Sequence, residues 1–199
     1  MQEIKMRRTN RERSQETREK LLDAARRLFV EKSYAETSTP EIVEAAGVTR
    51  GALYHHFADK QALFRAVAEQ EAREVAGEIE AKAGSELAPI EALIEGSNAF
   101  LDAMSVPGRT RLLLLDGPAV LGRIAMDEID DRNGNRTLRE GLQAAMKEGV
   151  IRPLPLVALT TLLGAAFDRA ALAVETGADA DDLRLVLSDL IRGLVATGK

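Results

Sequence analysis

The sequence predicts an all-α protein: an N-terminal three-helix helix-turn-helix domain followed by a larger C-terminal helical domain. Three observations carry this. Strand-formers are scarce and aromatic residues make up only 4% of the chain, while Ala, Leu, Glu and Arg are plentiful, a balance that favours helices. Apolar residues recur at helical spacing in segment after segment. Near the N-terminal end, two short helical stretches are joined by a turn that contains glycine, the pattern of a helix-turn-helix. The expected division is a flexible basic arm over 1–13, the helix-turn-helix domain over 14–60 and the second helical domain over 61–199.

The elements follow in order. Residues 1–13 are polar and carry Lys5, Arg7, Arg8, Arg11 and Arg13, with no apolar stretch of the kind a secretory signal needs. From about Glu16 a helix is expected, with Leu21, Leu22, Ala25, Leu28 and Phe29 on its buried face, ending near Lys32. Thr39 is read as the N-cap of a second helix and Pro40 as part of its first turn. Ile42, Val43 and Ala46 form that helix's apolar side, and Gly47 ends it. Thr49 caps a third helix. At about 100° per residue, Leu53 and Phe57 of this helix face the core. Gly51 and His55 then face outward, flanked by Ala52 and Tyr54, with Arg50 at the tip and His56 at the edge. A face meant only for solvent normally carries Glu, Lys or Gln. Small residues there suit close approach to another backbone, as in a major groove.

Both histidines of the chain, His55 and His56, lie on this helix. As a metal or acid–base pair they are poorly placed, because adjacent helical residues diverge by about 100° and only Asp59 is a nearby carboxylate. The chain has no cysteine, so thiolate metal sites and disulfides are excluded and a reducing cytoplasm fits. No metal and no cofactor is expected. The net charge of −5 is uneven: residues 1–65 hold 13 Lys and Arg against 10 Asp and Glu, residues 66–199 hold 14 against 22. For phosphate contact the local field matters more than the acidic total.

A fourth helix is expected over Lys60–Lys82, with Leu63, Phe64, Val67 and Val75 on one side, and a fifth over Pro89–Met104. The stretch "RTRLLLLDGPAVLGRIAMDEI" reads as four leucines, a break at Asp-Gly-Pro and a new amphipathic segment. "RTLREGLQAAMKEGVI" is a further helix, and two long ones close the chain, over about 154–175 and 179–197. The first of these has few charges before Asp168, so it is expected to be buried on most sides. Its uncharged run, 153–167, is too short to span a bilayer, and no membrane partner is expected. No Gly-rich phosphate loop, Ser elbow or H-E-x-x-H motif is present, so the chain is not read as an enzyme.

The stretch "TSTPEIVEAAGVTRGALYHHFADKQALF", preceded by "TREKLLDAARRLFVEKSY", resembles the DNA-binding segment of the tetracycline-repressor (TetR) family of transcription regulators, over about residues 14–65. One departure is Ser33, where that family usually has Gly after the first helix, which puts the geometry of that helix end in question. The resemblance implies a DNA-binding regulator, a repressor released from a palindromic operator by a small, largely apolar ligand. The expected partners are double-stranded operator DNA, a small-molecule effector and a second copy of the chain. It implies DNA contacts by Thr39, Thr49, Arg50, Gly51, Ala52, Tyr54, His55, His56 and Lys60. It implies an effector pocket whose candidates are Asn98, Phe100, Met104, Leu114, Asp116, Val120, Ile124, Phe167 and Asp168. It also implies a four-helix dimer interface made by the last two helices, with Leu162, Ala166, Leu183, Leu187, Ile191 and Leu194. Periodicity alone leaves open that these residues close the monomer core. It also leaves open a helical small-molecule carrier or enzyme that retains a helix-turn-helix surface, from which DNA binding at moderate salt separates a regulator.

Overall fold

In the computed structural model, residues 9–84 and 86–196 are described. Among them are ten α-helices, one short π-helix and no extended strand. The chain folds as two compact units, one running to Val67 and the other beginning at Ala68. The division falls inside helix α4 (Lys60–Lys82), one turn or more beyond the expected boundary at 60, because Leu63 and Phe64 of its first turns are fully buried.

In the first unit, α1 (Asn10–Glu36) starts earlier than periodicity suggests. Thr9 caps it in a capping box: its hydroxyl accepts from the Glu12 amide at 3.2 Å while the Glu12 carboxylate accepts from the Thr9 amide at 2.6 Å. Asn10–Arg13, read from the sequence as part of the arm, are therefore helical; the rest of that arm, 1–8, lies outside the described residues. Leu21, Leu22, Ala25, Leu28 and Phe29 are all buried. The helical path breaks at Ser33, which takes φ 82° and ψ 164°. Thr37, buried just beyond, ties the break down by donating its hydroxyl to the Ser33 carbonyl at 2.7 Å and the Leu28 carbonyl at 3.2 Å.

That backbone region is almost exclusive to glycine, and a side chain in it costs about 1–3 kcal/mol. Ser33→Gly is therefore expected to stabilise the first unit. The gain is about 1 kcal/mol once the extra freedom of glycine in the unfolded chain is subtracted. Urea midpoints of the two proteins check it, and a lower midpoint for the glycine variant would show the serine conformation to be unstrained.

Helix α2 (Thr39–Ala46) is capped by Ser38, not Thr39. The Ser38 and Glu41 side chains form the capping box, which leaves Thr39 as the first helical residue. Lys32 reaches across from α1 to Glu41 at 2.6 Å. Hydrogen bonding to Lys32 first, then to Ser38, draws the Glu41 carboxyl down to about 2. Gly47 takes the left-handed conformation, φ 63°, and the Val48 amide donates back to the Val43 carbonyl at 3.0 Å, a Schellman ending. Helix α3 (Arg50–His56) begins at Thr49, whose hydroxyl accepts from the Ala52 amide at 3.2 Å.

The second unit contains the rest of α4, then α5 (Pro89–Met104), a π-helical turn (Arg111–Asp116), α6 (Gly117–Leu121), α7 (Arg123–Asp131), α8 (Gly134–Lys147), α9 (Leu156–Glu175) and α10 (Ala180–Arg192). Helix α5 packs on α8, α9 and α10, and α8 packs on α7 and α9. The core runs through Val75, Ile79, Leu93, Leu101, Met104, Ile129, Leu142, Phe167 and Ile191. The four leucines do not form an ordinary helix: the π-helical turn carries them into α6. Asp179 caps α10 by accepting from the amides of Asp181 and Asp182. That helix ends at Arg192, short of the expected 197, and Val195 forms an isolated antiparallel bridge with Ile151. By length and composition α9 is apolar enough to cross a membrane, yet only 28% of its most apolar stretch is buried. The uncharged run understated its length, and the expectation of burial on most sides fails within a single chain.

Candidate DNA-binding surface and effector cavity

Helix α3 presents the faces its periodicity sets. Leu53 and Phe57 are buried, Gly51, Tyr54 and His55 are exposed, and Ala52 and His56 are half-buried. Thr39, Arg50 and Tyr54 come together from two helices. The Tyr54 phenol is pulled below its ordinary value by hydrogen bonding with Thr39, and then with Arg50. The Arg50 guanidinium lies 5.5 Å from the Tyr54 ring centroid. The N-terminal ends of α2 and α3 are thus joined at the surface by a hydroxyl, a guanidinium and a phenol, all groups suited to phosphate and base-edge contact. Thr49 is exposed at the start of α3.

His55 and His56 lie edge to face, 5.2 Å between centroids. Burial, then the charges of His55 and Arg18, hold the His56 imidazole below its ordinary value. Lys60 is placed differently from a free phosphate ligand. Its ammonium donates to the carbonyls of Tyr34 and Thr37, both at 2.9 Å, and sits 4.1 Å from the Tyr34 ring centroid. Two of its three donors thus hold the segment that follows the Ser33 break.

In the second unit, two cavities of about 300 and 170 Å³ share Phe100, Asp130, Gly134 and Asp168 in their walls. Of the residues expected from the sequence, Phe100, Phe167 and Asp168 line the larger cavity, and Phe100, Met104, Leu114 and Asp168 the smaller. The Phe100 and Phe167 rings are 5.9 Å apart. Four others lie elsewhere. Ile124 is 79% exposed on α7. Asp116 pairs with Arg111 at 3.4 Å. Val120 is half-buried on α6, and Asn98 is half-buried on α5 with its Oδ1 unpartnered. The break after the leucines turns the first turn of α7 outward, so a lining inferred from apolar character alone overshoots there.

The sequence reading missed Asp130. In "DEIDDRNGN" it looks like one of several solvated acids, but the same turn that buries Ile129 carries Asp130 into the wall of both cavities. Burial first, and the charge of Asp168 second, push its carboxyl up to about 7. Burial likewise raises Asp168 to about 6. Glycines in three helices also escaped notice as lining residues: a side chain at Gly141 would meet Leu93 at 3.0 Å, and one at Gly164 would meet Asn135 at 2.7 Å.

The raised carboxyls set a pH dependence. Asp130 and Asp168 are protonated in the native protein at pH values where the unfolded chain has lost those protons. Stability therefore falls as pH rises from about 4 to about 7. Asp130→Asn is expected to flatten this fall and to stabilise the protein at about pH 8 by on the order of 2 kcal/mol. Thermal unfolding at a series of pH values measures it; an unchanged slope in the variant would place the titration in other groups.

On the two closing helices, Leu187 and Ile191 are buried within the subunit, and Ala166, Leu183 and Leu194 are half-buried. Only Leu162 of the expected interface set is fully exposed, at 71%. The stripe Leu183, Leu187, Ile191 faces inward, where α10 packs on α5. A second apolar stripe on α10 (Leu185, Val186, Leu190), together with Val157 and Leu162 of α9, is exposed.

Residues 21–67 match the family model for bacterial regulatory proteins of the tetR family, and residues 90–197 match that for a tetracyclin repressor-like C-terminal domain. The transcriptional repressor AcnR of Corynebacterium glutamicum is 30% identical over 181 residues, which covers 90% of this chain and 92% of that one. The transcriptional regulator AcrR of Shigella flexneri is 39% identical over 111 residues, 55% of this chain and 51% of AcrR. A tetR-family transcriptional regulator of known structure from Pectobacterium atrosepticum superposes with a TM-score of 0.74 at 30% identity, covering 96% of this chain and all of that one.

Proposed function

This chain belongs to the TetR family of bacterial regulatory proteins, a DNA-binding transcriptional regulator, and from that premise we propose that it is a cytoplasmic homodimeric repressor. Each copy sets α3 in the major groove of one half of a palindromic operator, and a small molecule held in the C-terminal cavities releases the DNA. The observation that carries the DNA-binding face is the cluster of the exposed Arg50 and Tyr54 with the half-buried Thr39, beside Gly51 and Ala52. The small residues allow close approach, and the cluster supplies donors where base edges lie nearest. Thr49 and His55, exposed on the same helix, and His56 at its edge complete the contact set.

Release requires that the ligand favour the arrangement that cannot bind DNA, since equal affinity for both shifts nothing. Helix α4 begins in the first unit and ends in the second, so a ligand that shifts its C-terminal half acts on an element to which the DNA-binding unit also contributes. A coupling of about 1–3 kcal/mol releases operator several-fold to about a hundred-fold.

Tyr54→Ala is the test. Fluorescence anisotropy on duplexes from DNA flanking the protein's own gene is expected to show a loss of about 1–3 kcal/mol of specific affinity, with binding to unrelated duplex little changed. Equal binding of both proteins to the specific duplex would remove α3 from the interface. A wild-type protein with no preference among duplexes at physiological salt would remove the regulator reading itself.

A further inference from the structure

We propose that the larger cavity takes a cationic amphiphile, an aliphatic amine whose ammonium group lies between Asp130 and Asp168 and whose apolar body lies against Phe100, Phe167 and Leu138. The proposal rests on the reading of the C-terminal unit as an effector-binding unit and specifies its ligand beyond a largely apolar molecule. Both carboxylates line both cavities, at the place where the two share walls. Among the described residues no Lys or Arg comes within ion-pair distance of either. Arg123 of α7 reaches Asp168 only through its field and approaches Asp127 instead, at 3.9 Å.

The remaining charges around the site do not supply a counter-ion. Asp127 and Asp131 of α7 add negative field to Asp130. Glu80 of α4 and Glu140 of α8, which also line the cavity, are both taken by Arg136. Asp130 is left with one stabilising partner, the backbone at Asn135. Desolvated carboxylates without a cation are unfavourable unless protonated or paired, and a ligand ammonium supplies the pairing charge. An independent feature points the same way. The Ser97 hydroxyl lines the larger cavity, is 3% exposed and has no hydrogen-bond partner. A buried hydroxyl left open in this way is normally satisfied, and it gives the ligand a second polar contact. An anionic ligand placed between Asp130 and Asp168 would meet their repulsion with no ion-paired cation beside them, and a neutral one would bring the pair no counter-ion.

Octylamine, octanol and octanoate share one apolar body and differ in head-group charge. Isothermal titration of each into the full-length protein without DNA, near neutral pH, reads the preference. Octylamine is expected to bind about tenfold more tightly than octanol, and octanoate more weakly than both. Amine binding also expels the proton that burial keeps on the carboxyl pair, so its heat varies with the ionisation heat of the buffer, while that of octanol does not. Asp130→Asn, which removes one of the two carboxylates without changing side-chain shape, is expected to reduce the preference for octylamine, and the D130N/D168N double variant to bring the two affinities to within about twofold; both are expected to keep octanol binding. Octanol binding as tightly as octylamine, no octylamine binding at millimolar concentration, or a preference that survives in the D130N/D168N double variant each overturns the proposal. Operator release is read separately. Octylamine that binds with the expected preference but leaves operator complexes intact keeps the ligand class and defeats the effector reading. Octanol that releases operator as well as octylamine does the reverse.

Discussion

Replacing Arg109 by Met is expected to destabilise the second unit by about 3–5 kcal/mol, the range for breaking a buried ion pair from one side. The side chain of Arg109 is almost fully buried. Its Nε donates to Glu71 at 2.9 Å, Nη1 to Glu78 at 2.9 Å and to the Ala103 carbonyl at 2.8 Å, and Nη2 to Glu74 at 3.0 Å. The three glutamates stand on one face of α4, spaced three and four residues apart, the repeat that aligns side chains on a helix. Glu71 is 1% exposed, so loss of the guanidinium leaves a carboxylate in the interior beside two more. Lys is no substitute, because one ammonium cannot fork to acceptors on both α4 and the end of α5. Urea unfolding of Arg109→Met gives the magnitude. Adding Glu71→Gln should recover part of the loss, since the buried charge is then gone. A single variant that loses less than about 1 kcal/mol would mean that water reaches the cluster.

Leu162→Glu with Leu190→Glu is expected to yield folded monomers that bind operator at least about a hundredfold more weakly, because a lone helix-turn-helix reads only one half-site. Both side chains are exposed in the single chain, so charging them leaves the subunit core intact, and the far-ultraviolet dichroism should not change. Leu187→Glu is the contrasting variant. It buries a carboxylate in a packed core, so it should unfold the unit and not merely separate the copies. Sedimentation equilibrium distinguishes the two outcomes. A double variant that remains dimeric would move the interface away from the outer faces of α9 and α10.

The helix-turn-helix was readable because each of its decisions is local. A capping threonine, a glycine in the left-handed region and a Leu–Phe pair one turn apart fix α3 and its faces without help from the rest of the chain. The second unit was readable as helices but not as faces. Helix α10 carries two apolar stripes, and sequence periodicity cannot say which one the chain itself covers: Leu187, expected at the dimer interface, is buried within the chain, while Leu190 is exposed. Asp130 stayed hidden because an acidic run looks solvated until packing turns one member inward. At Ser33 the departure from glycine leaves the geometry of the helix end open in the sequence, and the positive φ that the serine takes there is visible only in the backbone.

Lys60 has a consequence for how binding data on this protein are to be understood. Each lysine that neutralises a DNA phosphate displaces about one condensed counterion, and that number is read from the slope of affinity against salt. An ammonium already shared between the Tyr34 and Thr37 carbonyls has little to add to that count. Its removal would loosen the end of α1 and weaken association with every duplex, while the number of ions released stays nearly the same. An alanine scan judged by affinity alone would score Lys60 as a phosphate ligand; the same scan repeated across salt concentrations would score it as part of the scaffold.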